Sequence, residues 1–426
     1  MSAKAVVNEM DGKAIYFVGA GLPKALQRDG FPVPLMWDFV KVAAFYAASD
    51  DVLLTTLTQL EIAGVFEHAT AASIALAEGI TPPKSSTPQQ RDDFLRIVST
   101  RPQENIEALL IRAASMASNP KNAALPVAQQ LTIELLPLRF SFAINRVFWH
   151  IGWNFDAKPL RDFLQQQLLA RDAATFVSFN YDLMLERGIE HAASDRWSAA
   201  TGYGNAFHEF VEVVEASKHI DHFSKIGAGG AVGTLKSHQT TRSGDGTIAV
   251  LKPHGSLNWL CQFNGNYHFV GHPTHLVLLA DERVAYLSGS NIELLERPNG
   301  MPWPNSGVFI SPPTQKTPLP TILTQEEAAI VDADDVLIIG WSAPPTDEDQ
   351  VALIKRAIAR RRRPFRRVTL IEWNPTCSQV RRMRWLFAPA TKFTLWVGGF
   401  QTYATRTPLT WLWSRLRWWA SRRAWS

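Results

Sequence analysis

Short, predominantly apolar runs recur along this chain, and each ends in a corner of polar residues or glycines. Ala14-Ile15-Tyr16-Phe17-Val18 runs into Gly19-Ala20-Gly21, Ala174 to Phe179 into Asn180-Tyr181-Asp182, and Ile248 to Leu251 into Lys252-Pro253-His254-Gly255. Val336 to Ile339 leads to Gly340-Trp341-Ser342, and Arg367 to Ile371 to Glu372-Trp373-Asn374. Apolar runs without polar alternation suit strands buried on both faces, as in a parallel sheet. Helical spacing follows several corners, over Leu183 to Ala192, up to Lys355 and from Thr376. This alternation predicts an α/β fold, a doubly wound parallel sheet of Rossmann-like type. Ligands bind such sheets at the carboxyl ends of the strands, so the corners are expected to converge on one crevice.

Between the first two strands the pattern changes to helical spacing, as in Phe39-Val42-Ala43-Tyr46 and Ile106-Leu109-Leu110-Ala113. The expected organisation is a nucleotide-binding core over 1–35 and 170–400, a large helical insertion over 36–169 broken near Thr81 to Pro88, and a Trp/Arg-rich tail over 401–426. Gly227 to Gly246 has no period and reads as a loop or hairpin connection. Asp281 to Gln325 reads as irregular, with Val308-Phe309-Ile310 as one further strand.

Composition narrows the function classes. With 46% hydrophobic and 19% charged residues the chain is an ordinary globular sequence, and a net charge of +4 is too small to argue for direct nucleic-acid binding. The clusters Arg360–Arg363, Arg366–Arg367 and Arg381–Arg384 are read as solvated helix faces. Two cysteines, Cys261 and Cys377, make neither a disulfide framework nor a multi-cysteine metal site. Met1 to Lys13 carries no apolar run of the secretory kind, and no stretch approaches the roughly 20 apolar residues of a membrane span, so a cytoplasmic location is expected.

Each corner admits a chemical and a structural reading. Gly19, Ala20 and Gly21 permit backbone amides to approach a pyrophosphate, or form a tight turn; Lys24 stands where a complete Gly-x-Gly-x-x-Gly would have its third glycine. Asn180 and Asp182, two apart, face a ligand together while Tyr181 packs back into the protein, or they cap the next helix. Ser342 and Asn374 bond phosphate or ribose, or are caps. His254, held between Pro253 and Gly255, is the one of 11 histidines whose strand-end setting repeats that of Asn180, and an imidazole there suits a general base.

In order and spacing, Gly19-Ala20-Gly21, Ser178-Phe179-Asn180-Tyr181-Asp182, Lys252-Pro253-His254-Gly255, Gly340-Trp341-Ser342 and Asn374 resemble the motifs of the sirtuin-like family. The resemblance covers about Ile15 to Asn374, leaving out the insertion and the tail. It implies NAD as substrate: Gly19, Ala20 and Gly21 line its phosphates, Asn180 and Asp182 attend the nicotinamide ribose, and His254 is the base. Gly340, Ser342 and Asn374 fall on the phosphate and adenosine side.

Departures from the family refine this expectation. Phe179 stands where sirtuins have glutamine, and the four-cysteine zinc module of the deacylases cannot form, so neither zinc nor another metal is expected. Val308-Phe309-Ile310-Ser311-Pro312-Pro313 replaces the peptide-gripping pattern, which favours water as acceptor. Pro253-His254-Gly255-Ser256 with Leu257-Asn258-Trp259, and Gly340-Trp341-Ser342 continuing to Asp347, resemble the bacterial antiviral-defence branch, which depletes NAD. The implied activity is cleavage of the nicotinamide–ribose bond to nicotinamide and ADP-ribose. The alternatives are a deacylase or ADP-ribosyl transferase, and a non-catalytic NAD or ADP-ribose sensor. A toxic hydrolase needs restraint, so the insertion is the candidate for assembly into a homo-oligomer or for docking a helicase-like ATPase or Argonaute-type partner. The tail suits a protein interface better than a membrane surface.

Overall fold

The computed structural model describes residues 12–28, 32–66, 104–197, 202–203, 209–213, 235–239, 247–262, 276–279, 306–310, 320–405 and 414, apart from 36, 48–49, 135, 153–154, 170, 172, 194 and 389. The expected break near Thr81 to Pro88 and all of the tail except 401–405 and Ser414 lie outside them, as do residues 1–11. The strands are β1 (Ala14–Val18), β2 (Ala174–Ser178), β3 (Glu209–Val213), β4 (Leu235–Gln239), β5 (Ile248–Leu251) and β6 (Gly255–Gln262). They continue with β7 (Leu276–Leu279), β8 (Ser306–Ile310), β9 (Asp335–Ile339), β10 (Arg367–Glu372) and β11 (Phe393–Val397).

Six strands form an all-parallel sheet in the order β11-β10-β9-β1-β2-β5. From β1 the chain winds outward through β2 and β5, then restarts at β9 and winds the other way through β10 and β11. The reversal between β1 and β9 is the switch point at which such sheets open a crevice. Register aligns the corners, because Val18 pairs with both Ser178 and Ile339, and Ile371 with Ile339. Every residue of β1 and β9 is buried, which is why neither strand alternates in polarity. Tyr16 stacks on Phe176 at 4.5 Å and meets Phe163 edge-on, while Phe17 on the other face packs on Phe179, Trp341 and Phe387.

The amino ends of the strands are tied by charge. Asp335, fully buried, accepts from Arg171, Arg366 and Arg367 at 3.1, 2.8 and 3.0 Å, and these guanidiniums hold its carboxyl below the usual range against the opposing effect of burial. Arg361 donates to the carbonyls of Val331 and Ala333 and lies 3.7 Å over the Phe365 ring. The reading of this basic cluster as a solvated face is therefore corrected for the half-buried Arg361 and Arg367, which close the end of the sheet away from the crevice, while Arg366 stays exposed as it bonds Asp335. Arg360 and Arg363 do sit at the surface, each with a carboxylate partner.

The longer helices between β1 and β2 run over Phe39–Ala47, Asp51–Ile62, Ile106–Ala117, Val127–Glu134, Leu136–Gly152 and Ala157–Leu169, joined by turns and extended residues that include an antiparallel bridge between Gln27 and Phe155. The last of them packs on the helices Met184–Ala193 and Gly399–Ala404, so it belongs to the layer covering the sheet. Gly188 permits that packing, since a Cβ there would come within 2.6 Å of Leu160.

Two elements differ from the sequence reading. A second sheet, ordered β4-β3-β7-β6-β8, was not expected: β4 lies in the span read as loop or hairpin connection, β8 matches the strand read around Val308 to Ile310, and β3, β6 and β7 lie where no strand was read. Leu235-Lys236-Ser237-His238-Gln239 carries almost no apolar signal, so its pairing with β3 is decided by the partner rather than by pattern. Likewise β11 adds an edge strand beyond β10, and the Ser414 hydroxyl accepts from Val397 N at 3.0 Å.

Candidate active site

The loops after β1 and β9 meet at the switch point through glycines. A Cβ on Gly21 would lie 2.5 Å from Gly340 Cα, one on Gly19 would lie 2.5 Å from Gly340 O, and Gly340 itself has φ +60°. The missing side chains are thus required for the two loops to touch, and the same contact leaves their backbones along a cavity of about 830 Å³. That volume lies in the range of small-molecule sites. Asn180 joins the third corner to the first, its Nδ2 donating to Gly19 O at 3.0 Å.

His254 lies in the turn that carries the chain from β5 into β6, closed by Gly255 at φ +87°. The imidazole is 4% exposed and packs against the Phe179 ring, which stacks on Trp341 at 4.5 Å. Phe179 is therefore a supporting wall, stacked on the tryptophan opposite. Trp341 Nε1 donates to Asp347 Oδ2 at 2.9 Å, which turns Oδ1 of the same carboxylate toward His254 Nε2 at 3.3 Å. Glu107 completes the group: it is buried at the start of the helix Ile106–Ala117, whose N-cap Asn105 accepts from Glu107 N at 2.8 Å.

Beneath these residues lies Lys252, fully buried. Its Nζ donates to Asp182 O at 2.6 Å and Glu186 Oε1 at 2.7 Å, with Tyr181 O at 3.4 Å, so it binds the β5 corner to the β2 corner. Burial pushes the Asp182 carboxyl up to about 6, with Lys252 opposing. Burial, with Asp347 nearby, takes Glu326 to about 8, and burial takes Glu372 on the cavity wall to about 7. Burial, reinforced by Glu107 and Asp347, carries the Tyr181 phenol well above its ordinary value. Of these carboxyls, Glu107 and Asp347 lie beside His254, and Asp182 and Glu372 also line the cavity.

All the sequence-predicted site residues, Gly19, Ala20, Gly21, Asn180, Asp182, His254, Gly340, Ser342 and Asn374, line this one cavity. Neither Ser342 nor Asn374 caps a helix: Pro344 and Asp347 precede the turns after β9, and Thr376 forms a capping box with Gln379 after β10. Asp182 does cap, since Oδ1 accepts from Met184 N at 3.0 Å. Tyr181, expected to point away, also lines the cavity, because residues 181–183 form a bend in which strand alternation no longer applies. Sequence reasoning passed over Trp341, Glu107 and the pairing of Lys252 with Glu186. Ile106, Glu107 and Phe148 bring the helical segment into the wall, a role different from the assembly surface expected of it.

No protein-family model matches the chain, and no curated protein matches it. What the site can do is accordingly argued from its own atoms. It offers a buried imidazole facing a carboxylate, an amide pinned to the β1 corner, and glycine backbones, Ser342 and Asn374 on the walls of the same cavity. Those are the parts of a site for an extended ligand with one reactive end. Among the described residues, no helix is long and apolar enough to cross a membrane.

Proposed function

We propose that this chain hydrolyses NAD, cutting the nicotinamide–ribose bond to release nicotinamide and ADP-ribose, as a sirtuin-like enzyme of the antiviral-defence kind. The observation that carries the reading is the pairing of His254 with Asp347 in one cavity at the switch point of a doubly wound sheet, lined also by Asn180, Gly19, Gly21, Gly340, Ser342 and Asn374. The resemblance of the five corner motifs supports it independently.

In this mechanism the diphosphate runs along the Gly19–Gly21 and Gly340 backbones, and Ser342 and Asn374 hold the adenosine half. The nicotinamide ribose lies beside Asn180 and Asp182. Loss of neutral nicotinamide leaves positive charge on the ribose carbon. A water held by Asn180 adds to that carbon as His254 accepts its proton, and Asp347 stabilises the resulting imidazolium across 3.3 Å. Product departure returns the proton to solvent.

The test is release of nicotinamide and ADP-ribose from NAD by the purified chain, alone and with proteins encoded beside it. Wild type is expected to form both products, and His254→Ala and Asn180→Ala to lose about 100-fold or more in rate while keeping the wild-type melting profile. NAD left intact by wild type under every condition, or turnover retained in both variants, rules the mechanism out. Product that forms only with an acylated peptide, or label transferred to protein, would assign deacylase or transferase chemistry.

A further inference from the structure

Glu107, His254 and Asp347 come from the helical segment, the β5–β6 turn and the loop after β9, yet one ligand atom from each lies within 4.8 Å of the other two. All three side chains are buried. His254 Nε2 makes no hydrogen bond among the described residues and is directed at Asp347 Oδ1. We propose that Glu107, His254 and Asp347 form a binding site for one divalent transition-metal ion of the zinc class, held between the helical segment and the sheet.

The donor set favours such an ion. One imidazole nitrogen with two carboxylate oxygens is the mixed set that Zn²⁺ accepts, with a fourth position left to water or substrate, whereas Mg²⁺ and Ca²⁺ prefer oxygen alone. Ligands about 2.1 Å from a metal stand at most about 4.2 Å apart, so small side-chain rotations suffice to close the group. Support from outside is in place: Trp341 Nε1 holds Asp347 Oδ2 and leaves Oδ1 aimed inward, the Phe179 ring backs the imidazole, and Asn105 fixes the first turn that bears Glu107. A divalent charge also offsets the repulsion between two carboxylates brought close in a buried place. Cysteine counting excluded only a thiolate site. This one needs no thiol, and its members are too far apart in sequence to form a motif.

Occupancy has a consequence that rests on the NAD-cleaving reading. A metal on Nε2 leaves the neutral imidazole with its proton on Nδ1, so neither ring nitrogen has a lone pair to accept a proton from water and the metal-bound chain is silent. It also ties the helical segment to the sheet. Zinc is then a restraint of the sort a toxic hydrolase needs.

The experiment is calorimetric titration of metal-free full-length chain with Zn²⁺, with Mg²⁺ as contrast, followed by nicotinamide release from the same samples. One saturable equivalent of Zn²⁺ is expected, weakened about tenfold or more in Glu107→Gln and Asp347→Asn and lost in His254→Ala, with no comparable Mg²⁺ isotherm. Should a variant fail to fold, Co²⁺ on the wild-type chain decides: visible bands of a thiolate-free site, displaced by Zn²⁺, are expected. A blank Zn²⁺ isotherm, one unchanged in both carboxylate variants, or no Co²⁺ bands overturns the site. Zn²⁺ that binds as described yet leaves nicotinamide release untouched overturns the restraint. If the metal-free chain never cleaves NAD, the hydrolase reading fails while the titration still decides the metal site.

Discussion

His254 is held by the Phe179 ring on one side and Asp347 on another, in a turn that Gly255 closes. Asp347 is a positioning residue in the proposed chemistry, since it acts through the imidazole. Asp347→Asn keeps the shape but removes the charge that stabilises imidazolium. The rate constant for nicotinamide release is expected to fall about 100-fold with KM nearly unchanged. A fall in KM-dependent binding alone, at unchanged kcat, would deny Asp347 that role. His254 was legible at this scale because its setting repeats that of Asn180, whereas its partnership with Asp347 joins residues far apart in sequence and has no local signature. Gly340 was legible as a corner; its positive φ and contact with Gly21 became visible only with both loops in place.

Among the elements, the β5 corner and the β2 corner are joined by one buried ion pair. Lys252 and Glu186 are 2.7 Å apart, and the Tyr203 hydroxyl also donates to the same Glu186 oxygen at 3.1 Å. Replacing Lys252 by methionine leaves Glu186 buried without its cation, at a cost of about 3–5 kcal/mol. Chemical denaturation should report that loss, and the double variant Lys252→Met/Glu186→Leu should recover much of it. Equal stability of Lys252→Met and wild type would show that the pair does not hold the corner. The strands of the parallel sheet could be read from their apolar runs because burial on both faces removes alternation. The second sheet could not, since strands such as β4 owe their pairing to neighbours rather than to pattern.

For the whole molecule, the balance of buried carboxyls sets how stability depends on pH. Asp182, Glu326 and Glu372 are raised to about 6, 8 and 7, above the usual carboxylate value of about 4. The folded chain thus binds more protons than the unfolded chain in between. Their contribution is full below about pH 4 and is lost as pH rises through the folded values. Glu372, partly exposed, counts least. Asp50 and Asp335 are lowered instead, and their stabilisation is lost only on acidification below the ordinary carboxylate range. Melting is accordingly expected at a higher temperature at pH 5.5 than at pH 8, with the difference reduced in Glu326→Gln. A melting temperature that rises across that range would contradict the assignment of these carboxyls.

What the sequence determined by itself is local or periodic: the buried strands, their corners, the helical character of the long segment after β1, and the residue types able to do chemistry at each strand end. Burial on both faces and the geometry of a strand end leave marks within a few residues, and so they can be read directly. Tertiary structure decided which distant groups meet. It placed Glu107 from the helical segment beside His254, turned Asp347 toward the imidazole through Trp341, and set Arg171, Arg366 and Arg367 around Asp335. Such contacts depend on the strand order and on the reversal between β1 and β9, and no pattern along the chain encodes a distance across a sheet.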